Sequence, residues 1–111
     1  MTRKILLISK DEKFISFVEI SALTLSKLNH QVDLIRKFDI NVDLAIIDFD
    51  AIDSLEVVKL FRNDEIIRNK KIIGVYTSDN NINRNEIFET GCDSLMSKSE
   101  FEKACNNILM F

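Results

Sequence analysis

The chain has 111 residues, 46% of them apolar and 30% charged, enough for one domain that buries about two-thirds of the surface its unfolded chain exposes. Fifteen Lys and Arg against 18 Asp and Glu leave a net charge of −3, which argues against nucleic-acid binding by this domain alone. Two Gly, no Pro and two Cys exclude collagen-like, disordered and disulfide-stapled classes.

The start, Met1-Thr2-Arg3-Lys4, is basic, but the apolar run behind it, Ile5 to Ile8, is far too short for a secretory core. No run approaches the roughly 18 apolar residues needed to span a membrane. Cys92 and Cys105 lack metal-ligand spacing and read as small buried hydrophobes. The expectation is a soluble, cytoplasmic, single domain over residues 1–111.

Ile5 to Ile8 is a continuous aliphatic run, which suits a strand covered on both faces. Asp11 or Ser9 then caps a helix in which Phe14, Val18, Ala22, Leu25 and Leu28 form one apolar stripe. Asn29 and His30 end it, Asn being tolerated in the left-handed conformation; His30 reads as a solvated loop residue. Val32 to Ile35 is a second strand, and Leu44 to Ile47 a third that delivers Asp48 at its C-terminal end.

Asp53 or Ser54 caps the next helix, with Leu55, Val58 and Phe61 inward and Val57 and Leu60 alongside. Ile72 to Tyr76 is a fourth strand ending at Thr77. The polar stretch from Asp79 to Asn85 leads to a short helix through Ile87 and Phe88, stopped by Gly91. Ser94 to Ser97 is a fifth strand. Ser99 and Glu102 fit a capping box, which opens a last helix running to Phe111. Strands alternating with helices define an α/β fold with a parallel sheet, and such sheets place ligands outside the carboxyl ends of their strands. Ser9, Lys10, Asp11, Asp48, Thr77 and Lys98 fall there.

Asp43-Leu-Ala-Ile-Ile-Asp48, Tyr76-Thr77-Ser78 and the stretch from Gly91 to Lys98, in that order and spacing, resemble the receiver domain of bacterial response regulators over essentially the whole chain. The resemblance implies a flavodoxin-like, doubly wound, five-stranded parallel sheet of order 2-1-3-4-5. It also implies Asp48 as phosphoacceptor, Thr77 and Lys98 as holders of phosphoryl oxygens, and Mg²⁺ as the charge shield. The chemistry agrees: phosphoryl transfer to a carboxylate sets anion against anion, so the site must supply positive charge and oriented donors.

The chain departs from that pattern in several places. The family's two adjacent acids after the first strand stand here as Ser9 and Lys10, leaving only Asp11 and Asp50 beside Asp48 as metal ligands. Lys10 is the candidate substitute charge, pairing with Asp48 and repelling a divalent cation. Ile52 and Ser99 replace two family prolines, and Leu95 stands where a switch aromatic is usual.

Chain length adds a departure of its own. Only the seven residues from Arg36 to Val42 separate the second and third strands. They reach about 23 Å against a return path of about 18 Å, so the connection closes but has no room for a crossover helix. That helix is expected to be lost or reduced to a turn, leaving one flank of the sheet thinly covered.

The leading expectation is an atypical receiver domain in signal transduction. It acts as a protein-interaction module without Mg²⁺-dependent phosphorylation, needs no cofactor and is not an enzyme. Its partners are proteins, a histidine kinase or downstream effector among them, and the last helices are the candidate homodimer surface. The terminal Ile108-Leu109-Met110-Phe111 cannot all face one helical stripe. The alternative is a working phosphoacceptor of a two-component phosphorelay, with Asp48 phosphorylated and Mg²⁺ held by Asp11, Asp48 and a carbonyl near Asp50. A flavin- or small-molecule-binding reading fails because Ser9-Lys10-Asp11-Glu12 has two acids and no glycine with which to cradle a phosphate.

Overall fold

The computed structural model describes every residue except Met1, Phe38, Ile40, Ile52, Ile66, Ile67, Asp79, Asn80 and Phe111. The elements run β1 (Arg3–Ile8), α1 (Glu12–Lys27), β2 (Val32–Ile35), β3 (Leu44–Asp48), α2 (Ser54–Asn63), β4 (Lys71–Tyr76), α3 (Arg84–Thr90), β5 (Ser94–Ser97) and α4 (Lys98–Met110). All five strands pair in parallel in the order β2-β1-β3-β4-β5. This is the doubly wound architecture implied by the resemblance. The family proline position at Ile52 and the helix end at Phe111 lie outside the described residues.

Alternate strand residues serve opposite faces, so each aliphatic run feeds two cores. Ile5, Leu7, Leu44, Ile46, Ile73 and Val75 pack under α1 and α4, where the Phe14 and Phe101 rings meet edge-on at 5.3 Å. Leu6, Ala45, Ile47 and Ile72 pack under Val58 and Phe61 of α2 and Ile87 of α3. On this second face Gly74 has a specific task. A Cβ there would lie 2.5 Å from the Phe49 ring and 2.9 Å from Leu95, so only glycine lets both side chains cross the strand. Cys92 and Cys105 are both buried in the cores. Burial pushes both thiols up, away from the reactive thiolate.

Between β2 and β3 none of the described residues is helical, so the second crossover carries no helix among them. Ile8 and Ile35 are half-buried at that flank.

Three local readings need correction. Leu28 does not join the α1 stripe: it is the C-cap, 63% exposed, because the helix ends before its side chain comes round to the core. Leu60 is 60% exposed, on the side of α2 opposite Val58 and Phe61. The capping box of α4 is Ser97 with Glu100, not Ser99 with Glu102. The Glu100 N–H donates to Ser97 Oγ at 3.1 Å, and the Glu100 carboxylate accepts from the Ser97 N–H at 3.3 Å. The helix starts two residues early because β5 runs straight into it. Lys98 consequently sits in the first turn, aimed across the sheet.

Candidate functional site

The C-terminal ends of β1 and β3 and the start of α4 converge on one cleft of about 430 Å³, lined by Lys10, Asp11, Asp48, Asp50, Ala51, Asp53 and Lys98. Asp48 ends the fully buried central strand and is 2% exposed. A buried carboxylate is tolerated only with partners, and Asp48 has them on both oxygens. Its Oδ2 accepts the Ser9 hydroxyl at 2.6 Å and lies 2.9 Å from Lys98 Nζ. Its Oδ1 accepts the Asp50 N–H at 2.9 Å. Its backbone carbonyl accepts the Ser54 hydroxyl.

Lys98 is the hub. Its ammonium lies 3.0 Å from Asp11 Oδ2, 2.9 Å from Asp48 Oδ2 and 2.7 Å from Asp50 Oδ2, and 5.5 Å from the centre of the Phe14 ring. Burial pulls the Lys98 amine down, but its bonds to Asp48, Asp50 and Asp11 outweigh that and hold it above its ordinary value. In return, the Lys98 ammonium holds the Asp11 carboxyl below its ordinary value, helped by the Phe14 and Lys13 N–H groups. Asp11 thus has two tasks. One oxygen caps α1 by accepting from Lys13 and Phe14, and the other faces Lys98.

Thr77 leans on Asp50, donating its hydroxyl to Oδ2 at 2.6 Å and its N–H to Oδ1 at 3.0 Å. Asp50 therefore ties β4 to Lys98, a role that its place in a polar loop did not announce. Lys10 is exposed on the rim of the cleft, and among the described residues it makes no ion pair with Asp48. The charge on Asp48 comes from α4, because Lys10 follows β1 on the outward side while Lys98 is aimed in by the first helical turn. Leu95 is half-buried on β5 beside Gly74. The Ser9–Asp48 bond had no signal in the sequence, where Ser9 stood as a possible helix cap and at the place of a family acid, 39 positions from its partner.

The resemblance implies Mg²⁺ here. Three carboxylates are the right donor chemistry for it, but all three converge on the Lys98 ammonium. Among the described residues no group of three or more His, Cys, Asp or Glu is disposed to hold a metal ion. As placed, the side chains form a shell for an ammonium and do not fit a divalent cation.

No family model matches the chain, and no curated protein matches it. Solved structures do match. The chain is similar to a signal receiver domain of two-component signal transduction (histidine kinase) from Clostridium thermocellum, with TM-score 0.75 at 18% identity over 100% of both chains. It is similar to the phosphorylated cyanobacterial phytochrome response regulator RcpA, with TM-score 0.73 at 16% identity over 97% of this chain and 91% of that one. The Mn²⁺-bound form of response regulator Rcp1 gives TM-score 0.72 at 16% identity, over 96% and 91%. At such identities the likeness establishes the fold. The chain has the receiver fold of response regulators.

Proposed function

We propose that this domain is an atypical receiver that signals through protein–protein contacts and does not use Mg²⁺-dependent phosphorylation. One observation carries the reading. Both oxygens of Asp48 are already engaged, by Ser9 and Lys98 on one side and by the Asp50 N–H on the other. A nucleophilic carboxylate must be within reach of the donor and shielded against the incoming anion, and Asp48, held by these partners, is 2% exposed. Here the three acids exceed the one ammonium by two negative charges, which would repel a phosphoryl donor.

On this reading the chain is a single signalling domain of the cytoplasm, needs no cofactor, is not an enzyme, and has a protein partner such as a histidine kinase or an effector. No helix among the described residues is long and apolar enough to cross a membrane. The last helix offers a partner less than the sequence suggested. Leu109 is buried and Ile108 packs on the core, which leaves Met110 as the exposed apolar residue among those described.

The second reading is a working phosphoacceptor. It is favoured by the placing of Asp48 and Lys98 in one cleft with Thr77 bonded to Asp50 on its wall, and by the phosphorylated and Mn²⁺-bound states of two structural neighbours. An amide NMR titration with Mg²⁺ and then beryllofluoride, with Asp48→Ala as control, separates the two. The interaction module gives a flat response. Saturable shifts at Asp48, Thr77 and Lys98 that vanish in the control would overturn it.

A further inference from the structure

The edge of β1 is closed by a side chain. β2 ends at Ile35, which pairs with Leu6. Along a strand, alternate residues present N–H and C=O to the same neighbour. The Arg3 N–H donates to Gln31 on the β2 side, whereas the Lys4 carbonyl accepts from Asp43 on the β3 side. Leu7 and Ser9 therefore turn their carbonyls to the β2 side, beyond its last residue. Arg36, the next residue in the chain, takes both: its Nε donates to the Leu7 carbonyl at 3.2 Å and a terminal nitrogen donates to the Ser9 carbonyl at 3.2 Å. A planar guanidinium fork thus replaces two strand amides.

Ser9 lies one residue past β1, and the last β1–β3 pair is Ile8 with Ile47. Its carbonyl is held by Arg36, its hydroxyl donates to Asp48, and its oxygen accepts the Asp11 N–H at 3.1 Å. A rotation of the Ser9 backbone would swing the hydroxyl off the carboxylate. We infer that Arg36 is a positioning residue: by gripping the Ser9 carbonyl it keeps the Ser9 hydroxyl on Asp48. The short second crossover, with no helix among its described residues, is thereby wired to the site through its first residue. This inference rests on reading Asp48 as an engaged carboxylate.

The test is a mutant cycle of wild type, Arg36→Gln, Ser9→Ala and the double variant, read by the Asp48 carboxyl carbon and Asp50 amide resonances. Arg36 is exposed, so the Arg36 variants should keep their fold, and the amide spectrum of Ser9→Ala shows whether that variant and the double variant do. Arg36→Gln should shift both resonances in the same direction as Ser9→Ala. It should add nothing in the Ser9→Ala background, because the hydroxyl through which it acts is gone. Arg36→Lys, with one ammonium for two carbonyls, should recover part of the shift. Unmoved Asp48 and Asp50 resonances in Arg36→Gln would overturn the inference, as would shifts that simply add. Arg36 would then do no more than cover a strand edge. A positive beryllofluoride response would sink the interaction-module reading while leaving this cycle to be decided by itself.

Discussion

The two halves of the sheet's carboxyl edge are built differently. On the β3–β5 side lie the carboxylate, hydroxyl and lysine that the sequence resemblance retains, Asp48, Thr77 and Lys98, and Asp50 binds the last two together. On the β1–β2 side a neutral hydroxyl faces Asp48, Lys10 lies outward, and an arginine takes the carbonyls beyond the end of β2. The difference shows how a buried carboxylate is kept stable. The Lys98 ammonium gathers Asp11, Asp48 and Asp50, and the Ser9 hydroxyl adds a second partner on the same oxygen of Asp48. Buried charge demands partners whatever the function.

Four predictions bear on that contrast. The largest effect should come from the retained half: Lys98→Met strands Asp48 in the core and should cost about 3–5 kcal/mol in chemical denaturation. Lys10→Ala, on the rim, should stay within about 0.5 kcal/mol. Equal losses would put the working charge on both sides of the cleft. On the β1 side, Ser9→Ala removes a hydrogen bond to a charged group and should cost about 1.5–3 kcal/mol in the same assay. A neutral outcome would mean that Ser9 is a bystander.

At the start of α4, Ser97→Ala should lower stability by about 1 kcal/mol while Ser99→Ala changes little. The reverse ranking would restore the cap two residues later.

The smallest effect is on the pH profile. Asp11, held below its ordinary 3.8, contributes stability that is present above that value and lost as pH falls through its lowered one. Lys98, held above its ordinary 10.5, contributes stability that is present below that value and lost as pH rises through its raised one. Melting temperature against pH should therefore sag at both ends, and both sags should shrink in Lys98→Met. Unchanged profiles would remove the ion pairs from the stability of the fold.

The strands themselves were readable from their short aliphatic runs and the missing crossover helix from a seven-residue connection, whereas the strand order came from the family resemblance. The α1 cap at Asp11 and the left-handed Asn29, at φ 69°, were readable for a similar reason, since both are local backbone chemistry. Leu28, Leu60 and the α4 cap were misread because each depends on where a helix stops or turns relative to a sheet.

Residue chemistry within a few positions thus determined the elements and placed Asp48, Thr77 and Lys98 among the residues at the strand ends, and the family resemblance singled out that trio. Tertiary structure alone decided how those charges are shared. Ser9 and Asp48 are 39 positions apart, Lys98 and Asp11 are 87 apart, and Asp50 meets both Thr77 and Lys98 across strands. Hydrogen bonds act over about 3 Å of space and carry no trace in sequence spacing. Only the packing of β1, β3 and β4 beneath the start of α4 makes Lys98, and not Lys10, the counter-ion of Asp48.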